Sequence, residues 1–125
     1  MSLDFARLAA EAATAKTAEE TIILDVSDLI GITEYFVITA GRNERQVRAI
    51  VDEIGARCRA AGLGPPRQVE GLHDGTWVLV DYGSFVVHVF DAEARSYYNI
   101  ERLWSDAEQV PLTADHRVAV GDRST

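Results

Sequence analysis

The sequence predicts a single mixed α/β domain, with helices packed on a mostly mixed sheet of about five strands. Three observations predict it. Apolar residues recur at helical spacing in three separate stretches. Between those stretches lie short apolar or alternating runs of strand length. The chain has 125 residues, 47% of them hydrophobic, which suits one domain built around one core.

Residues 4–16 are rich in alanine, and Phe5, Leu8, Ala9 and Ala12 share one helical face. Residues 21–26 carry Ile22, Ile23, Leu24 and Val26 in a short run that reads as a buried strand. A connection containing Gly31 follows, and residues 35–40 form a second apolar strand closed by Gly41. The clearest helix comes next. Val47, Ile50, Val51, Ile54, Cys58 and Ala61 fall on one stripe of a 3.6-residue period. Asn43 is its N-cap, with Gln46 placed for a capping box, and Gly62 stops it before a Leu-Gly-Pro-Pro turn.

Residues 67–70 suit a short edge strand, and residues 71–75 a loop. Residues 76–90 read as a hairpin. With Gly83-Ser84 as a two-residue turn, Tyr82 faces Phe85, Val80 faces Val87 and Val78 faces Val89. That register puts these six residues on a core face and Trp77, Leu79, Asp81, Val86, His88 and Phe90 on the other. Asp91 caps a last helix, with Glu93 placed well for the helix dipole. Tyr97, Ile100, Leu103 and Trp104 share its buried side, while Tyr98 and Arg102 fall elsewhere. Past Ser105 the periodicity fades. The expected domain is 1–105, with 106–125 a flexible tail.

Composition narrows the function. The net charge of -8 disfavours extensive RNA or DNA binding, which depends on Lys and Arg releasing counterions, and favours a basic protein partner. No apolar run reaches the roughly eighteen residues of a membrane span. The first residues lack a signal-peptide layout, so a cytoplasmic protein is expected. The single cysteine, Cys58, permits no internal disulfide and agrees with a reducing compartment.

No catalytic or metal-binding set emerges. His73, His88 and His116 have no ligand neighbour at metal-site spacing. His88 can lie diagonally from Asp81 within salt-bridge range, but no motif supplies a nucleophile. Cys58 on the apolar stripe reads as a buried, inert thiol. The glycines form neither a phosphate-binding loop nor a dinucleotide fingerprint. No cofactor is expected. The second hairpin face has two readings: a helix covers it, or it docks a partner through its aromatic anchors.

Several segments together resemble a known family. They are Leu24-Asp25-Val26-Ser27, Ile32-Thr33-Glu34-Tyr35-Phe36-Val37-Ile38 and Glu44-Arg45-Gln46-Val47-Arg48-Ala49-Ile50. They continue with Glu70-Gly71, Trp77-Val78-Leu79-Val80-Asp81-Tyr82-Gly83, Val86-Val87-His88-Val89-Phe90 and Tyr97-Tyr98-Asn99-Ile100-Glu101-Arg102-Leu103-Trp104. In this order and spacing the chain resembles the bacterial ribosomal silencing factors of the Iojap and YbeB family from Phe5 to Trp104. Departures are mild: Glu34 stands for Asp, Asn43 for Ser, and Ser84 for an acidic residue.

The resemblance implies an α/β/α sandwich of nucleotidyltransferase-like topology. It also implies a non-enzyme that binds the large ribosomal subunit through ribosomal protein fourteen. Such a factor blocks joining with the small subunit, lowers translation when nutrients are scarce, and takes part in large-subunit maturation. The expected docking residues are Trp77, Leu79, Asp81 and Tyr98, with His88 and Arg102 in support. An alternative is a nucleotidyltransferase-like enzyme or nucleotide-binding protein, although the paired carboxylates such enzymes use for metal ions are missing. A third reading is a scaffold that self-associates through the hairpin patch, as a homodimer when free.

Overall fold

A computed structural model describes residues 2–17 and 19–113. The chain runs α1 (Ser2–Thr14), β1 (Ile22–Asp25), β2 (Tyr35–Gly41), α2 (Glu44–Ala60), β3 (Gln68–Glu70), β4 (Trp77–Asp81), β5 (Phe85–Asp91), α3 (Ala92–Tyr98), α4 (Ile100–Leu103) and β6 (Glu108–Val110). The strands form one sheet in the order β3-β4-β5-β2-β1-β6. Among the described residues only β2 and β5 pair in parallel; their connection passes through α2 and the β3–β4 pair. The other four pairings are antiparallel.

Side-chain alternation gives the sheet two apolar faces. On the first, Ile23, Val37, Val78, Val80, Phe85, Val87 and Val89 pack against α1 and α2. Of the α2 stripe, Val47, Ile50, Ile54 and Cys58 are buried there and Val51 packs at the margin, while Ala61, just past the helix, is exposed. From α1 the buried residues are Ala6, Ala9, Ala10, Ala12 and Ala13, while Phe5 and Leu8 pack at the margin. Small side chains that also favour helix let α1 lie close against α2. On the second face, Ile22, Leu24, Val26, Phe36, Ile38, Ala40 and Phe90 pack with Ile100, and Ala94 and Trp104 close around them. The molecule is thus an α/β/α sandwich.

The caps follow from the sequence. Asn43 Oδ1 accepts from the Gln46 N–H at 2.9 Å, and Gln46 Oε1 accepts from the Arg42 N–H at 2.6 Å. That reciprocal bond reaches one residue before the cap. At the end of α2 the Leu63 N–H closes onto the Cys58 carbonyl at 2.9 Å. The hairpin turns at Gly83, whose φ of 93° suits glycine, and the strands pair in the expected register.

Two expectations need correction. The sheet has six strands rather than about five. The extra one, β6, lies in the stretch expected to be a loose tail, where it pairs Val110 with Ile23 and Glu108 with Asp25. The open edge of β1 offers unpaired backbone groups, and this short segment satisfies them. The rest of that tail, from 114 onward, lies outside the described residues. The last helix, moreover, is two. Asn99 adopts a left-handed conformation (φ 48°, ψ 54°) that ends α3 and resets the chain before α4. A helical period counted through it therefore fails. Ile100 stays buried, but Tyr97 is 80% exposed and Leu103 75% exposed.

Candidate functional site

The α3–α4 layer is shorter than the sheet. It covers β5, β2 and β1, and leaves the outer face of β4 half open. Trp77, Leu79 and Asp81 alternate along that face, each half-buried. Four residues of strand carry the row about 13 Å from Trp77 to Asp81. The face is therefore divided: helices cover the β5 side, and the β4 side meets solvent.

The loop ahead of β4 fixes where Trp77 begins. Arg48 on α2 reaches across to it, donating from Nη2 to the His73 carbonyl at 2.7 Å and to the Leu72 carbonyl at 3.2 Å. Gly71 has a φ of 84°, and a Cβ there would lie 2.0 Å from the Trp77 carbonyl oxygen. Only glycine lets the backbone fold this tightly against β4.

Rings then knit the site together. Trp77 lies 4.9 Å from Phe90, its partner across the hairpin, and 4.9 Å from Tyr98 on α3. Tyr98 meets Tyr97 edge-on at 5.0 Å. His88 sits behind Trp77 on β5 and accepts the indole N–H at Nδ1, 3.2 Å away. Phe36 lies 4.5 Å from the imidazole and nearly perpendicular to it, and Trp104 closes over Phe36 at 5.6 Å. The Asp81–His88 ion pair that the register allows does not form. Asp81 Oδ1 instead accepts the Gly83 N–H at 2.8 Å and so holds the hairpin turn. Burial pushes the His88 pKa down to about 4, so the imidazole is neutral near pH 7.

The structure thus gathers Trp77, His88 and Tyr98 into one aromatic cluster, with Leu79 and Asp81 continuing along β4. Arg102 is exposed and lines a cleft of about 620 Å³ together with Tyr98 and Leu103. Tyr97 and Tyr98 also line a second cleft of about 360 Å³ with Thr76 and Glu93, so the two tyrosines form a ridge. The helical period puts Tyr97 and Leu103 inside; in the structure they are exposed beside Tyr98. The signal that could have found them is Asn99, the residue type after glycine that best tolerates a left-handed turn.

Arg95 holds this ridge. Its Nε donates to Glu101 Oε2 at 2.9 Å across the Asn99 break, and its Nη1 donates to the Glu20 carbonyl ahead of β1. Elsewhere the reactive groups are quiet. Burial raises the pKa of the Cys58 thiol, and that of its neighbour Tyr82 to about 12. Among the described residues, no three His, Cys, Asp or Glu side chains come together in a way that could hold a metal ion. No helix among them is long and apolar enough to cross a membrane. His116 lies outside the described residues.

Comparison with known proteins decides the family. The model of the ribosomal silencing factor during starvation, RsfS, matches residues 1–125. The chain belongs to this family. It is 42% identical over 106 residues to the ribosomal silencing factor RsfS of Bacillus subtilis, a match covering 85% of this chain and 89% of that protein. A crystal structure of a Chromobacterium violaceum protein superposes with a TM-score of 0.77 at 35% identity, covering 89% of this chain and 90% of that one. A mouse relative, mitochondrial assembly of ribosomal large subunit protein 1, is 30% identical over 95 residues, 72% of this chain and 40% of that protein. In this silencing-factor domain, Trp77 at the start of β4 packs on Tyr98, so the half-open face of β4 adjoins the Tyr97–Tyr98 ridge.

Proposed function

We propose that this domain binds the large ribosomal subunit through ribosomal protein fourteen and blocks joining with the small subunit by bulk alone. Translation is thereby repressed under nutrient limitation, in the cytoplasm, and the same contact serves large-subunit maturation. The observation that carries this reading is the half-open aromatic and apolar surface running from Asp81 through Leu79 and Trp77 to Tyr98 and Arg102. Trp and Tyr rings at the centre of a surface, with charges at its ends, are the usual anchors of a protein interface. The net charge of -8 supports a basic protein as partner and opposes extensive direct contact with RNA. The names of the relatives, a silencing factor and a large-subunit assembly protein, support the same target.

No catalytic group is needed for this action. Docking places a folded domain where the other subunit must sit, and the joined state is excluded sterically. The test is direct. Trp77→Ala and Tyr98→Ala should each keep the parent circular dichroism spectrum and weaken binding to purified bacterial large subunits by about tenfold or more. Parent-level binding by both folded variants would remove the site. Self-association of the free protein through this face would appear as a dimer that large subunits dissociate.

A further inference from the structure

Resting on the docking surface just proposed, we infer that His88 is a positioning residue: it accepts the indole N–H of Trp77 and so fixes how that ring is presented to the partner.

His88 cannot offer the partner contact area, because only 4% of its surface is exposed. Whatever it contributes to docking runs through a neighbour. The neighbour it bonds is Trp77, from Nε1–H to Nδ1 at 3.2 Å. Phe90 and Tyr98 also pack on the indole, each at 4.9 Å, but ring packing of this kind has little directional force. The hydrogen bond is directional, and indole N–H is a donor only. It therefore selects the edge of the indole that faces inward and the edge that faces solvent.

The acceptor is itself fixed. Phe36 flanks the imidazole at 4.5 Å and Phe90 stacks at 6.4 Å. A neutral imidazole accepting at Nδ1 must carry its proton on Nε2. That nitrogen is buried and has no hydrogen-bond partner among the described residues. A buried polar group left unpaired costs stability, and an apolar ring of similar shape would avoid the cost. Packing alone thus gives no reason for an imidazole here; the hydrogen bond that it accepts from Trp77 does.

Nitrogen-15 NMR of the parent protein tests the bond. The imidazole of His88 should be the Nε2–H tautomer at pH 7; the Nδ1–H tautomer would overturn the proposal. The indole N–H resonance of Trp77 is assigned by its loss in Trp77→Phe, with Trp104 as internal reference. In His88→Phe that resonance should move upfield, and binding to large subunits should fall roughly three- to tenfold, the size of one lost hydrogen bond. His88→Asn, whose amide oxygen takes the place of Nδ1, should recover both. An unchanged indole resonance in folded His88→Phe would overturn the inference. So would parent-level binding by that variant where Trp77→Ala binds weakly, an outcome that leaves the docking surface standing. If Trp77→Ala itself binds as the parent does, the indole carries no docking and the positioning role falls; the surface as a whole falls only if Tyr98→Ala binds as the parent too.

Discussion

At position 88 an imidazole sits among Phe36, Trp77 and Phe90, and its pKa is about 4 because burial disfavours the charged form. An unfolded chain binds that proton near pH 6.5. Between these values the unfolded state holds more protons than the folded state, so stability falls as the pH drops from 6.5 towards 4 and levels off below. The loss across the whole window is on the order of 3 kcal/mol. Urea midpoints should show this slope in the parent and a flatter one in His88→Phe between pH 7 and pH 4.5. Equal slopes would contradict a buried neutral imidazole. The sequence placed His88 opposite Leu79, which leaves two diagonal neighbours on β4, Trp77 and Asp81. Spacing alone treats them alike. The covering rings decide between them: an apolar surrounding favours a neutral imidazole bonded to an indole, while Asp81 turns to the Gly83 N–H.

Among the elements, those with long and regular patterns were legible. The α2 stripe and its Asn43 cap, and the pairing of β4 with β5, follow from helical and alternating periods that one left-handed turn at Gly83 completes. The α3–α4 pair was not legible, because a single left-handed residue shifts every later position of the period. Asn99→Ala should cost about 1–2 kcal/mol in chemical unfolding, and Asn99→Gly should cost nothing or stabilise. Equal loss for both would argue against the backbone as the cause. Arg95→Ala should loosen the Tyr97–Tyr98 ridge and weaken docking while leaving the α1–α2 side intact, read as faster amide exchange confined to residues 95–104. The strand β6 escaped notice because three residues with one apolar side chain carry no period. Its pairing with β1 means that truncation after Ser105 should lower the melting temperature by several degrees. An unchanged melting temperature would show that β6 adds nothing to the sheet.

For the whole molecule, charge and shape act on different steps. A net charge of -8 speeds encounter with a basic surface, so raising salt from about 50 to about 500 mM should slow association far more than it speeds dissociation. The apolar face of β4 and the tyrosine ridge then set the lifetime of the complex. Half of that surface was legible: Trp77, Leu79 and Asp81 fall on the outer face once the hairpin register is known. The other half depends on how far α3 and α4 extend over the sheet, which is a tertiary fact. Docking that excludes the small subunit is read out by sedimentation. Purified bacterial subunits are mixed under joining conditions with excess protein and resolved on a sucrose gradient. The parent should hold the subunits apart, with the protein travelling in the large-subunit peak, and Trp77→Ala should let them join. Normal joining in the presence of excess parent protein would rule out steric silencing.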